Sequence, residues 1–242
     1  LACFGYLTVG AVTMLEITNL NYRNAGFELK AVFRVQRGER LALMGQSGAG
    51  KSTLISLIAG FLSPNVGEIW FGGANLTQCD PSKRPISILF QDSNLFPHLT
   101  LQENLGLALS PRLALNAAME AQISTALTQV GLRGFEGRRP ASLSGGQQSR
   151  AAIARVLLQN RPILLMDEPF AALDPTLRRE MAELISTLCH DLGLTLILAS
   201  HDFADAERMC NRVMLLTEGQ ITGDYPIAGL RAAPPAGLVP WL

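Results

Sequence analysis

The stretch Gly45-Gln46-Ser47-Gly48-Ala49-Gly50-Lys51-Ser52-Thr53 decides the fold of this chain. Residues 40–44 before it form a short β-like run, and residues 52–59 read as an apolar helix. Strand, glycine loop and helix in that order build a cradle for phosphate. Gly45, Gly48 and Gly50 let the backbone wrap until the N–H groups of the loop, through Gln46, Ser47 and Ala49, point inward at the positive end of the following helix. Lys51 adds a mobile cation for the β and γ phosphates. Ser52 supplies a hydroxyl where Mg²⁺ would sit, and Thr53 a hydroxyl on the α-phosphate side. A glycine-rich turn with a solvated lysine needs neither flanking element, so the stretch predicts a nucleoside triphosphate site.

Working outward, residues 15–20 and 27–35 are strand candidates ahead of the loop, and 68–71, 86–90, 163–166, 194–199 and 213–216 follow it. Residues 181–189 and 204–209 read as helices between the later strands, so the chain is α/β. From Gln91 to Leu143 the pattern turns helical, with 101–109 and 115–130 rich in Leu and Ala at helical spacing. Residues 92–159 are expected to form a helical insertion. Residues 232–242 read as a breaker-rich tail that leaves no room for a further domain. Residues 1–13 are uncharged and apolar without the basic start or cleavage site of a secretory signal. With Met14 as a better start, they are expected to be an N-terminal extension ahead of a unit spanning 14–231.

The chain has 242 residues, 48% of them hydrophobic, which suits one domain with a sizeable core. Twenty Lys and Arg balance twenty Asp and Glu, so no global field draws the chain to nucleic acid or to an anionic membrane. No apolar run approaches the roughly 18 residues of a spanning helix, so any channel must come from another chain. Cys3, Cys79, Cys189 and Cys210 are scattered without metal-ligand spacing and read as free thiols.

Ile163-Leu164-Leu165-Met166 is a buried-strand run ending in Asp167-Glu168-Pro169. Two carboxylates thus stand at the carboxyl end of a strand, where α/β sheets bind ligands. Asp167 would hold Mg²⁺ through its water shell, and Glu168 would accept a proton from the attacking water. Upstream, Leu143-Ser144-Gly145-Gly146-Gln147 reads as a helix start, with Ser144 as N-cap and two glycines permitting close approach to an anion.

In this combination the chain resembles the ABC-type ATPases over nearly all of residues 14–220. The resemblance implies a P-loop NTPase (RecA-like) core with an antiparallel β subdomain and an inserted helical subdomain. It also implies two copies arranged head to tail around two ATP molecules, each copy offering Ser144, Gly145, Gly146 and Gln147 to the γ phosphate held by the other. Gln91 resembles the glutamine that senses Mg²⁺ and touches the transmembrane partner, while by itself it reads equally as a strand-end amide in solvent. Asp174, before Pro175, resembles the residue that communicates across the dimer and is also a plain N-cap. His201 resembles the switch histidine that contacts the γ phosphate. Tyr22 resembles the aromatic on which adenine stacks, with Phe27 as its competitor. Gln46 departs from the family's usual proline. Arg150 and Arg155 are expected to face solvent rather than acidic groups across the dimer.

The interval between Gln91 and Leu143 leaves no space for the long coiled coils of chromosome-maintenance ATPases, and a single nucleotide unit argues against tandem ribosome-acting members. Within transporters, Gly60-Phe61-Leu62, residues 84–91, Asn94-Leu95-Phe96, residues 113–117 and Glu168-Pro169-Phe170 most resemble thiamine-import ATPase subunits. That subfamily works peripherally on the cytoplasmic face of the bacterial inner membrane, with a permease and, through it, a periplasmic binding protein. Importers of sulfate, polyamine or ferric iron share the motifs, and a non-transport ATPase is the reading from another class.

Overall fold

The computed structural model describes residues 13–90, 95–171 and 173–241. The expectations placed on residues 1–12 and on Gln91 therefore lie outside the described residues. The strands are β1 (Thr13–Asn24), β2 (Phe27–Gln36), β3 (Arg40–Met44), β4 (Val66–Phe71), β5 (Ala74–Asn75), β6 (Ile86–Leu89), β7 (Ile163–Asp167), β8 (Thr195–Ala199), β9 (Arg212–Thr217) and β10 (Gln220–Pro226). The helices are α1 (Lys51–Ala59), α2 (Leu101–Gly106), α3 (Ala117–Gln129), α4 (Gly145–Leu158), α5 (Pro175–Leu192) and α6 (Phe203–Met209).

The strands join in the order β5-β4-β1-β2-β10-β9-β3-β8-β7-β6. From β9 to β6 every pairing is parallel; β1, β2, β4 and β5 pair antiparallel among themselves, as does β9 with β10, and a short parallel pairing of β10 with β2 joins the two halves. The side-chain patterns account for the division. In β2, Leu29, Ala31, Phe33 and Val35 are buried while Lys30, Val32, Arg34 and Gln36 face outward, the period of a strand with one wet side. In β3, β7 and β8 the burial is nearly unbroken, as parallel strands covered on both faces require.

Alternate residues feed two cores. Leu41 and Leu43, with Leu165, Ile197 and Ala199, pack on Leu54, Leu57 and Ile58 of α1 together with the β1–β2 ribbon. Ala42 and Met44, with Leu164, Met166 and Leu198, face the helices α4, α5 and α6. The helices α2, α3 and α4 come between β6 and β7 in sequence and share that second core. The tail also joins it: Leu230 and Leu238 are buried there, with Trp241 packed alongside.

Several element boundaries differ from expectation for local reasons. The α3 helix starts at Ala117 because the Asn116 side chain accepts the Met119 N–H at 2.9 Å. The strand β1 runs past Leu20 to Asn24, absorbing a register shift near Asn19, whose φ is 48°. The strand β10 was not anticipated at all. Its Thr222-Gly223-Asp224 composition is that of a turn, and pairing with β9 is what orders it.

Arg84 is 2% exposed, and all four acceptors its guanidinium meets are backbone carbonyls: Leu57 and Ile58 at the end of α1, and Thr77 and Cys79 in the connection to β6. The cation caps the C-terminus of the helix that begins at Lys51, where carbonyls lack intrahelical partners. Gly60 closes that helix at φ 88°, and a side chain there would meet Arg84 Nε at 2.5 Å.

Candidate nucleotide site

Neighbouring parallel strands deliver the chemistry to one place. In the order β3-β8-β7 the carboxyl ends of three strands open into the loop 45–50, into Ser200-His201, and into Glu168. Pairing continues one step beyond the strands: Ser200 donates its N–H to Leu43 O at 3.2 Å, and Glu168 to Ala199 O at 2.9 Å. Residues far apart in sequence are thereby held side by side.

In the loop, Gly48 and Gly50 take φ values of 81° and 107°, the left-handed region that lets successive amides face one side. Gly45 is needed for another reason: a Cβ there would overlap the backbone carbonyl of Leu216. Lys51 is 4% exposed and donates from Nζ to Gly45 O at 2.8 Å and Gln46 O at 3.1 Å, with Glu168 Oε1 at 3.7 Å. A groove above the loop is lined by Phe27, Ser47, Gly48, Gly50, Lys51, Ser52, Thr53 and Glu168. Gln46 turns its side chain to solvent, while Ala49 is buried and its carbonyl accepts the Gly219 N–H.

The Ser52 hydroxyl donates to Asp167 Oδ1 at 3.0 Å. Burial pushes the Asp167 carboxyl above its ordinary value, and the adjacent Glu168 charge adds to this against the Ser52 hydrogen bond and the Lys51 charge. One hydroxyl and one carboxylate beside a phosphate cradle are the hard oxygen donors that suit Mg²⁺, which takes the rest of its shell from water and substrate phosphates. Glu168 has φ 45°, an uncommon and strained backbone for a non-glycine residue. Its Oε2 lies 3.1 Å from His201 Nδ1, in a ring whose side chain is half exposed.

A second groove is lined by Ser144, Gly145, Gly146, Leu173, Asp174, Thr176, Leu177 and Glu180. The Ser144 side chain accepts the Gln147 N–H at 3.3 Å while Gln147 Oε1 accepts the Ser144 N–H at 3.0 Å, a reciprocal cap that accounts for Gln147. Asp174 Oδ1 accepts from Thr176 and Leu177, capping α5. Two capped helix N-termini thus face one groove. It shares no lining residue with the groove above the phosphate loop.

Phe27 borders the first groove, with its Cζ 2.8 Å from where a side chain on Gly50 would begin. Tyr22 pairs with Leu29 across β1 and β2, is partly buried against the α1-side core, and is not among the residues lining either groove. The solvated reading of Arg150 and Arg155 is corrected. Arg150 donates to Val130 O at 3.2 Å and to Glu180 at 3.1 Å, and the Arg155 guanidinium lies 5.9 Å from the Phe96 ring centroid. The ends of α3 and α5 on either side of α4 supply the partners of Arg150, the segment before α2 supplies one for Arg155, and both side chains are partly buried. Sequence reasoning missed Leu177 and Arg178, whose contacts are long-range and leave no local pattern.

This fold and these two grooves define an ATP-binding cassette. The pattern described as ABC transporter matches residues 30–171, and the chain belongs to that family. It is 51% identical over 229 residues to the thiamine import ATP-binding protein ThiQ of Jannaschia sp. (strain CCS1), covering 95% of this chain and 100% of the relative. It is 47% identical to the ThiQ of Photorhabdus laumondii, covering 94% and 95%. Among solved structures, cbiO1 of Clostridium perfringens, part of the ABC transporter complex cbiONQ, is similar with TM-score 0.80 and 29% identity over 92% of each chain. A dimeric ATP-binding cassette in a post-hydrolysis state with ADP and Pi bound is similar with TM-score 0.76 and 29% identity, over 89% of this chain and 100% of that one.

Proposed function

We propose that this chain is the ATP-hydrolysing subunit of a thiamine importer. Convergence of Lys51, Asp167, Glu168 and His201 at the ends of β3, β7 and β8 carries the hydrolytic reading. Thiamine as cargo is supported by relatives named as thiamine import ATP-binding proteins along nearly the whole chain.

The loop amides and Lys51 bind the β and γ phosphates, and adenine stacks on an aromatic of the β1–β2 ribbon, for which Phe27, bordering the groove, is favoured over Tyr22. Ser52 and Asp167 would hold Mg²⁺, and Gln91 is assigned to the same ion by family resemblance. The ion would supply charge neutralisation at the phosphates. Glu168 takes a proton from the water that attacks the γ phosphorus while the bond to the bridging oxygen of ADP breaks, giving ADP and phosphate. His201 donates to the γ-phosphate oxygens and orients Glu168. Because the two grooves are separate within one chain, the segment Ser144–Gln147 serves the nucleotide of a second copy, with Asp174 at the same junction. Head-to-tail pairs would then close on two ATP molecules and reopen after hydrolysis.

No helix among the described residues is long and apolar enough to cross a membrane. The permease contact is assigned to the exposed aromatics Phe61 (54% exposed), Phe90 (37%) and Phe96 (45%), the first two tilted against each other with ring centroids 6.0 Å apart. In this reading the chain works on the cytoplasmic face of the inner membrane, served by a periplasmic binding protein through the permease, as the relatives named for thiamine import suggest.

The test is labelled-thiamine uptake in cells lacking their own thiamine ATPase subunit, supplied with this chain and the permease encoded beside it. Uptake restored by the wild type and not by Glu168→Gln supports both cargo and base. Wild-type ATP hydrolysis without thiamine uptake would reject thiamine and leave the hydrolytic reading standing.

A further inference from the structure

His201 owes its position to residues outside the groove. Its side chain is 51% exposed, so orientation of the ring depends on the backbone of Ser200-His201-Asp202. That backbone is tied down by one cation from another element. Arg178, in the second turn of α5, donates from Nε to both Asp205 oxygens at 3.0 Å and from Nη2 to Oδ2 at 2.6 Å, while Nη1 lies 3.1 Å from Asp202 Oδ2. Asp205 is 2% exposed. Its Oδ2 is 3.4 Å from the Ser200 hydroxyl, which accepts the Asp202 N–H at 3.1 Å. Both chain neighbours of His201 are thus gripped through a single guanidinium. The N–H of Arg178 bonds Asp174 O at 2.9 Å, which ties the grip to the turn that starts α5.

We propose that Arg178 is a positioning residue that sets the His201 ring against Glu168. This rests on the roles given to His201 and Glu168 above. Stability alone is a weak reason for the arrangement, since well-packed apolar residues often replace a buried ion pair at no loss. What an apolar pair cannot reproduce is the directional fork of a planar cation reaching two carboxylates at once. An ammonium can keep Asp205 company but lacks the span to hold Asp202 as well.

The experiment measures ATP hydrolysis by the full chain assembled with its permease, comparing wild type, His201→Ala, Arg178→Met/Asp205→Leu, and the triple variant. Removing both partners leaves no uncompensated buried charge, and the melting temperature checks folding. We expect the double variant to lose at least about tenfold in kcat with KM for ATP within about twofold, the signature of an interaction used in the transition state. Adding His201→Ala to it should cost less than about twofold more, although His201→Ala alone costs at least about tenfold, because residues acting as one unit are not additive. Arg178→Lys, which keeps the charge, should fold normally and still lose severalfold in kcat; it decides the matter if the double variant does not fold. Wild-type kcat in the double variant or in Arg178→Lys overturns the proposal, as does an equal His201→Ala penalty in both backgrounds. Full hydrolysis by His201→Ala alone would instead remove the role of His201, and this inference with it.

Discussion

Leu177 occupies the space that a side chain on Gly146 would need: a Cβ there would meet Leu177 Cδ1 at 2.7 Å. The N-terminus of α4 therefore rests directly on the first turn of α5. The adjacent Gly145 has nothing within 4 Å of the same hypothetical atom. Neighbouring glycines of one motif thus differ: a side chain on Gly146 would meet packed atoms, and one on Gly145 would meet open space.

Two substitutions separate these cases. In Gly146→Ala, overpacking costs about 1–3 kcal/mol, and better helix propensity offsets up to about 1. A small net destabilisation is expected together with a severalfold loss of ATP hydrolysis, and adding Leu177→Ala should recover much of that loss. In Gly145→Ala, stability should rise by up to about 1 kcal/mol while hydrolysis falls, the outcome expected if the proposed head-to-tail pair brings the phosphate of a second copy against this glycine. Denaturant melts and steady-state hydrolysis read both, and failure of Leu177→Ala to rescue Gly146→Ala would sever the packing argument.

Arg84 should be among the costliest single sites for stability. Arg84→Met removes the donor shared by the carbonyls of Leu57, Ile58, Thr77 and Cys79, of which Leu57 O keeps the Gly60 N–H, at an expected cost of about 3 kcal/mol. For a chain of this size that is a fall of roughly 6–12 °C in melting temperature. Arg84→Lys should fare nearly as badly, because one ammonium cannot reach four carbonyls. A melting temperature within a degree or two of wild type for either variant would contradict this account.

Features encoded by residues close in sequence were readable before the structure. The phosphate loop, the Asp167-Glu168 strand end and the Ser144 and Asp174 caps each depend on a few consecutive residues and on backbone groups they reach directly. Features made by distant partners were not. Arg178 and Asp205 are separated by 27 positions, and nothing in the run Leu177-Arg178-Arg179 says which arginine turns inward. The strand β10 is ordered by β9 against its own turn-like composition, and Arg150 looks solvated until α3 and α5 are placed around it. Phe27 faces the groove and Tyr22 stands apart from its lining, a distinction set by strand register that no count of spacing reaches.

Asp167 illustrates a site held against stability. Its carboxyl is raised by burial and by the Glu168 charge, so at neutral pH the folded chain ionises it at a disadvantage. Asp167→Asn keeps an acceptor for Ser52 and removes the charge. The nucleotide-free chain should melt higher by up to a few degrees, and Mg²⁺-dependent hydrolysis should be lost. A lower melting temperature for the variant would mean that the Lys51 and Ser52 contacts outweigh the burial.

The buried thiols give a prediction with a definite sign. Burial pushes the Cys189 thiol up to about 11 and Cys210 higher still, and their exposures are only 2% and 5%. Both stay protonated when folded, whereas an unfolded cysteine ionises near pH 8.5. The unfolded state therefore binds fewer protons above that pH, and stability contributed by the neutral thiols is complete below it and lost as pH rises toward 11. Linkage sets the slope at about 1.4 kcal/mol per pH unit for each thiol once its unfolded form is ionised. Cys189→Ala/Cys210→Ala, normalised to its own stability at pH 7, should lose less between pH 9 and 10.5 than wild type does. Alkylation followed by mass spectrometry gives the second reading: at pH 8 neither thiol should react in the folded chain, and both should react after denaturation. Modification of Cys210 without unfolding would show that the helix α6 end opens on its own.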